Sequence, residues 1–160
     1  MADIAARLWP GITELERGHV SSQGQPCFAI SYLASIRRNG GPRLHPFCPI
    51  LADGSLYAVI PRSSPKGWDL RRDPRCVIHA LPGPDDDELC IRATATEVSE
   101  DASKRSLLVG LVAASGVLGM IESASREPIF ELDLEQVDVA WWLDIGQVGT
   151  RAMRLRWRAV

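Results

Sequence analysis

The chain has 160 residues, of which 46% are apolar and 24% are charged, and its formal net charge is −2. This length fits a single domain over residues 1–160 with one ordinary hydrophobic core. The small net charge and the scattered basic residues give no electropositive surface for a polyanion, so we expect no nucleic-acid partner.

The cysteines and the apolar stretches indicate the compartment. Cys27, Cys48, Cys76 and Cys90 are widely spaced and form no C-x-x-C pair, so we expect reduced thiols rather than a disulfide framework. The first residues have neither the basic nor the apolar region of a signal peptide. The most apolar stretch, residues 107–121, is too short to span a bilayer. These features predict a cytoplasmic protein that is not associated with a membrane.

The N-terminal part of the chain predicts a broken helix, a linker and a first strand. Apolar residues recur at helical spacing over residues 3–17, where the Pro10–Gly11 pair interrupts them. Residues 20–26 have the composition of a linker. The β-branched and aromatic run over residues 27–38 predicts a strand, and the turn sequence at 39–41 supplies residues that adopt the positive φ of a hairpin.

Two more strands follow in the pattern of a meander. Residues 43–51 predict the returning strand, and Asp53-Gly54 is a second hairpin signal. Residues 56–60 predict the third strand. Residues 68–73 fit one or two helical turns, which end before Pro74 because the residue before a proline is disfavoured in the α region.

The next predicted elements are two strands joined by an acidic turn. Residues 76–81 and 89–98 read as the fourth and fifth strands. The turn at 82–87 contains three adjacent aspartates, whose mutual repulsion disfavours burial. We therefore expect a solvated hairpin tip there rather than a metal site.

The C-terminal part predicts one long helix and the last strands. Ser99 is suited to cap a helix that Glu100 and Asp101 favour through its dipole. Residues 129–134 and 137–143 are two strand candidates, and residues 153–158 alternate apolar residues with arginine in a closing strand. About seven short strands with one late helix predict an antiparallel barrel or sandwich.

One segment carries the residue types of a phosphate site. Arg62, Ser63, Ser64 and Lys66 place two hydroxyls and two cations directly before a helix start. Hydroxyls and free helix amides donate hydrogen bonds to an anion, and the lysine neutralises its charge. An ordinary capping turn with a solvated lysine has the same spacing. Both interpretations stay open from the spacing alone.

The order of the elements resembles the pyridoxamine 5′-phosphate oxidase-like, FMN-binding split-barrel family. The resemblance rests on the Gly-x-Pro-like turn ending at Pro42, the strand from Arg43, the Ser64-x-Lys66 motif and Pro74, eight residues after the lysine. It covers residues 32–98 well and the rest loosely. It implies a mainly β fold with helices, an antiparallel split β-barrel of about six to seven strands. It also implies a homodimer with FMN, or alternatively the deazaflavin coenzyme, at the interface between the subunits.

The resemblance also implies the cofactor-binding residues. Ser64 and Lys66 would contact the phosphate, and Val59 and Ile60 would lie along the ring system through their backbone. The strand that contacts the phosphate and the ring edge would contribute His45, Pro46 and Phe47. Further candidates are Ser63, Trp68 for stacking, and Arg71.

The sequence departs from the family pattern in two respects. His45 and Pro65 stand at positions where the family's oxidases often have an arginine, which implies weaker phosphate affinity or phosphate contacts supplied partly by Arg62 or Arg71. The substrate-binding pattern of true pyridoxamine phosphate oxidases is not evident in residues 151–160, so we do not expect that substrate.

The predicted function is therefore an oxidoreductase that transfers hydride to or from an unknown small molecule. No catalytic side chain is identified, because the cofactor would carry the redox chemistry. A non-catalytic binder or sensor of a flavin, heme or similar planar ligand is the alternative, and a structural dimerisation domain is a third possibility.

A metal site and a cysteine nucleophile are not predicted. His45 and Cys48, like Cys76 and His79, are three residues apart and would point to opposite faces of a regular strand. Neither pair is therefore placed to chelate zinc or to act as a nucleophilic dyad.

Overall fold

The computed structural model describes residues 30–80, 87–114 and 118–159. The predicted N-terminal helix, the linker, Cys27 and most of the acidic hairpin tip lie outside the described residues. Within them, eight strands form one antiparallel sheet that curls into a half-barrel, with three helices. The predicted fold class, a mainly β split barrel with helices, is confirmed.

The elements follow one another closely along the chain. The strands are β1 (Ser31–Ile36), β2 (Pro42–Phe47), β3 (Pro49–Ala52), β4 (Ser55–Val59), β5 (Arg75–Ala80), β6 (Glu88–Glu97), β7 (Ile129–Leu143) and β8 (Arg151–Arg158). The helices are α1 (Pro65–Arg72), α2 (Ala102–Ala114) and α3 (Leu118–Arg126). Within the described residues, no helix has the length and apolar character needed to cross a membrane.

The long strand β7 organises the sheet. The strand order is β2-β1-β5-β6-β7-β4-β3, and β8 also pairs with β7. One edge of β7 pairs with β6, while its other edge pairs first with β4, over residues 129–132, and then with β8, over residues 136–143. The register with β6 shifts between Arg92 and Ala93, and this bulge leaves Glu135 as an extra residue on β7. The two parts of the split barrel therefore meet on one strand.

Three predicted elements differ in their bounds. The single strand expected over residues 43–51 is divided at Cys48 into β2, which pairs with β1, and β3, which pairs with β4. Pro49, at the start of β3, lacks the N–H group that a continuous ladder needs. The two candidates over residues 129–143 form the single strand β7. The short helix begins at Pro65 rather than Trp68, since a proline is well suited to the first helical position.

The C-terminal helical region also differs from its prediction. One long helix was expected, and the structure describes two, α2 and α3, which pack against each other. They cover a second core around Tyr57, Leu108 and Ile129. The main core lies inside the half-barrel and includes Leu33 and Phe130. The helices thus buttress the side of the sheet formed by β3, β4 and the start of β7.

Candidate functional site

The strand β2 and the start of helix α1 meet at Lys66. Its Nζ donates a hydrogen bond of 2.9 Å to the backbone oxygen of Pro46. Because an ammonium group has three protons, two remain for a ligand. Burial lowers the pKa of Lys66, and the nearby Cys48 opposes that shift. An anion bound beside this half-buried lysine would be stabilised more strongly than at an exposed one.

His45 adds a neutral imidazole to the same place. It pairs with Leu33 across the sheet, so its side chain lies on the core side of β2, where it is half-buried. Burial lowers its pKa first, and the positive charges of three residues lower it further: Lys66, Arg43 and Arg37. At neutral pH the ring is therefore uncharged, with one nitrogen that donates and one that accepts a hydrogen bond.

The turn before α1 leaves a hydroxyl available. Ser64 occupies the N-cap position, yet its side chain makes no capping hydrogen bond. Its backbone is fixed, because its N–H donates to Pro61 O at 2.8 Å and its oxygen accepts from Gly67 N at 3.0 Å. The Ser64 hydroxyl is thus held at a helix N-terminus, where backbone amides and the helix dipole favour a negative group.

Gly67 allows α1 to lie close against the end of β4. A Cβ atom at this position would stand 3.3 Å from Cγ2 of Ile60 and 3.6 Å from Nη1 of Arg71. The first of these distances is tighter than ordinary contact between carbon atoms. A side chain at this position would require the Ile60 side chain to move by a few tenths of an ångström.

A buried carboxylate joins α1 to the first two strands. Asp69 is only 3% exposed and accepts hydrogen bonds from Arg43 Nε, from Arg72 Nη2 at 3.1 Å and from Ser35 Oγ at 3.4 Å. Burial alone would raise the pKa of Asp69, but the hydrogen bonds from the two arginines outweigh it and hold the pKa below its usual range. This ion-pair cluster keeps Lys66 on α1 beside His45 on β2.

Part of the predicted site is brought together in the structure. His45, Pro46 and Lys66 lie at the junction of β2 and α1, and Ser63 and Ser64 precede Lys66 on the same turn. Trp68 follows on α1, with 58% of its surface exposed. His45, Lys66 and the two serines thus bring together the polar groups that a phosphate needs. Trp68 is two residues from Lys66 on the same helix, so it points to the opposite, solvent side and is not placed beside those groups.

Three other predicted site residues contribute to the core and the sheet instead. Phe47 and Ile60 are buried in the core, and the Ile60 amide already donates to Pro128 O at 2.9 Å. Val59 is half-buried and pairs with Ile129 on β7. The side chains of Phe47 and Ile60 and the Ile60 amide are thus used by the fold.

Arg71 is engaged by residues of the sheet. Its guanidinium binds Glu97 through two hydrogen bonds, of 2.7 and 3.1 Å, and lies 5.5 Å from the centre of the Phe130 ring. Hydrogen bonding to Glu97 is the main reason that the pKa of Arg71 is raised. Arg71 therefore fastens α1 to β6 and β7.

The roles of Arg43 and Asp69 were not predicted from the sequence. Strand alternation places Arg43 on the same face as His45, which was a usable signal, but its partner is on a helix 26 residues away. Burial raises the pKa of Cys48, so its thiol is protonated at neutral pH and is a weak nucleophile.

No family model matches the sequence, and no curated protein matches it. Solved structures do. HutZ, a heme storage protein from Vibrio cholerae, has a TM-score of 0.59 and 16% identity over 80% of this chain and 90% of that one. A heme binding protein from Mycobacterium smegmatis has a TM-score of 0.58 and 19% identity over 94% of this chain and 57% of that one. An F420 reductase has a TM-score of 0.50 and 13% identity over 66% and 86%.

These neighbours establish the fold. Identities of 13 to 19% lie in a range where architecture is shared and function is not transferred. The chain spans a little over half of the mycobacterial heme binding protein and most of HutZ. The same split barrel thus occurs in proteins named for two different planar cofactors, heme and F420.

Proposed function

We propose that this chain binds a flavin-type cofactor, FMN or the deazaflavin coenzyme, and is an oxidoreductase that transfers hydride to or from a small molecule. One observation carries the proposal: three polar groups meet at the N-terminus of α1. They are the half-buried Lys66, the neutral His45 and the hydroxyl of Ser64, which makes no capping hydrogen bond. That combination suits a phosphate, which both cofactors contain.

Each residue has a distinct role in this proposal. Lys66 offsets part of the phosphate charge and donates its two remaining protons as hydrogen bonds. Ser63 and Ser64 donate hydrogen bonds from their hydroxyls. His45 donates one ring N–H. When bound, the cofactor ring supplies the hydride chemistry, while the barrel orients the ring and shields it from water on the core side.

Heme is the second candidate ligand, and His45 is the observation that favours it. A neutral, half-buried imidazole is a suitable axial ligand for heme iron. Two of the similar structures are described as heme proteins. In this alternative the protein binds or stores heme, and Lys66 pairs with a propionate instead of a phosphate.

Titration of the purified apo-protein separates the candidates. We expect saturable quenching of tryptophan fluorescence by FMN or by the deazaflavin coenzyme, since Trp68 is two residues from Lys66 on the same short helix. Hemin is titrated in parallel and followed by its Soret absorbance. Tight hemin binding that is lost in His45→Ala, with no flavin binding, would support the heme alternative. Binding of none of the three would refute both.

We also propose a homodimer that forms through the outward face of β1 and β2. Tyr32 and Leu44 point away from the core, and Leu44 is 62% exposed. Leu44 pairs with Ala34, which lines an adjoining groove of about 330 Å³ together with Ile36 and Val77. The groove is largely apolar, although Arg75, Arg92 and Glu135 also line it. An apolar projection beside such a groove supplies matching surfaces for a two-fold symmetric interface. The same face includes Pro46, so a second copy would border the cofactor site.

The substitution Leu44→Glu is expected to convert the dimer into a monomer. Burying a carboxylate in place of an apolar side chain on both copies should weaken self-association by about 100-fold or more. Light scattering after gel filtration measures the mass. Leu118→Glu on α3, where the leucine is 79% exposed, is the control and should leave the mass unchanged. A monomeric unmodified protein would contradict the proposal.

A further inference from the structure

The turn that leads into α1 is held from a distant part of the chain. Within the turn, Ser64 N–H donates to Pro61 O at 2.8 Å. The backbone N–H of Arg62 donates to Oε2 of Glu127 at 2.7 Å. Glu127 lies 65 residues later, between α3 and β7. A single carboxylate therefore fixes the peptide that precedes the two serine hydroxyls of the proposed phosphate site.

The backbone of Glu127 is itself firmly anchored. Its N–H donates to Ser123 O at 2.8 Å, which ends α3. Arg105 on α2 donates to Ala124 O at 2.8 Å, to Glu127 O at 3.2 Å and, through its second Nη, to Ser99 O at 3.0 Å. The adjacent Pro128 O accepts from the Ile60 N–H at 2.9 Å. The carboxylate thus extends from a rigid corner and not from a loose loop.

Glu127 binds the backbone of Arg62 and not its side chain. The Glu127 carboxylate accepts from the Arg62 amide, and no hydrogen bond or ion pair joins it to the Arg62 guanidinium among the described contacts. A bond to a flexible side chain would fix little, whereas a bond to the peptide orients the backbone of the turn. The cost is a negative charge close to a site that is proposed to bind an anion.

We propose that Glu127 is a positioning residue, whose carboxylate holds the turn so that Ser63 and Ser64 face the anion together with Lys66. This inference rests on the proposed flavin-type function. Because the role needs a hydrogen-bond acceptor and not a charge, glutamine should replace glutamate at this position, and alanine should not.

The test compares Glu127→Ala with Glu127→Gln in the full chain, using FMN and riboflavin as probes. Riboflavin has the same ring without the phosphate. In Glu127→Ala the dissociation constant for FMN should rise about tenfold, as for one lost hydrogen bond, while that for riboflavin changes less than about twofold. In Glu127→Gln the FMN constant should equal or fall below the unmodified value. Glu122→Ala, which breaks only an exposed pair with Arg126, is the matched control.

Amide hydrogen exchange on the apo-protein tests the same inference without any cofactor. Exchange at the Arg62 and Ser64 amides should rise in Glu127→Ala and stay at the unmodified level in Glu127→Gln. Unchanged exchange in Glu127→Ala overturns the inference, and so does an equal loss of FMN and riboflavin binding. If the unmodified protein binds no flavin, the proposed function fails, while the exchange result still decides whether Glu127 holds the turn.

Discussion

Replacing Lys66 by methionine is expected to weaken FMN binding by about 100-fold and to leave riboflavin binding nearly unchanged. Methionine keeps an unbranched apolar side chain in the half-buried position and removes the charge that meets the phosphate. The loss of a charge-assisted hydrogen bond to a doubly charged group sets the size of the effect. Fluorescence titration of both ligands measures it.

The control for Lys66 is the other lysine of the chain. Lys104 lies on α2 and pairs with Glu131, so Lys104→Met removes a lysine without touching the proposed site. Its affinity for FMN should remain that of the unmodified protein. Equal losses for FMN and riboflavin in Lys66→Met would mean that Lys66 supports the fold through Pro46 and does not bind the phosphate.

Replacing Asp69 by alanine is expected to lower the free energy of unfolding by about 3 kcal/mol. The substitution leaves Arg43 and Arg72 without their shared partner and removes the acceptor of the Ser35 hydroxyl. Both arginines keep some access to solvent, so the lower end of the range for broken buried pairs applies. Urea denaturation measures the change.

The pH dependence of the free energy of unfolding shows whether Asp69 acts through its charge or only through packing. Its pKa in the folded protein lies below the unfolded value of about 4, because the arginine hydrogen bonds outweigh its burial. The stability that the ionised Asp69 contributes is therefore fully present above about pH 4, and it is lost as the pH falls through the lower pKa of the folded state. The stability gap between the unmodified protein and Asp69→Ala should narrow in that acidic range.

Asp73→Ala provides the comparison for Asp69 on the same segment. Asp73 pairs with Arg75, whose side chain is 72% exposed, so water replaces the lost partner. The variant should unfold at nearly the same urea concentration as the unmodified protein. Two results would contradict the role given to the buried carboxylate. One is a loss of stability in Asp73→Ala as large as that in Asp69→Ala, and the other is a stability difference between Asp69→Ala and the unmodified protein that does not narrow in acid.

Local signals explain what the sequence predicted well. Hairpin turns at Asn39 and Asp53, and the interval from Lys66 to Pro74, depend on neighbouring residues, and they located most strands and the turn before α1. The break at Cys48 was missed because apolar character continues through it. The sequence does not show that the chain changes its pairing partner there, from β1 to β4.

Long-range contacts explain what the sequence could not supply. The spacing of Arg71 in the sequence does not show that its charge is paired. Only the fold brings it to Glu97 on β6. Phe47 shares a strand with His45, yet one is fully buried and the other is half-buried. The depth of a residue along a curled sheet is not encoded in alternation, which gives the face alone.

The three partners of β7 also govern the order in which the chain assembles. Val59 on β4 pairs with Ile129 across 70 residues, whereas β1 with β2 and β3 with β4 form hairpins of short range. Closing so long a loop costs entropy before any contact rewards it. We therefore expect the hairpins to form first as separate units, and the docking of β7 between β6 and β4 to be the slow step of barrel formation.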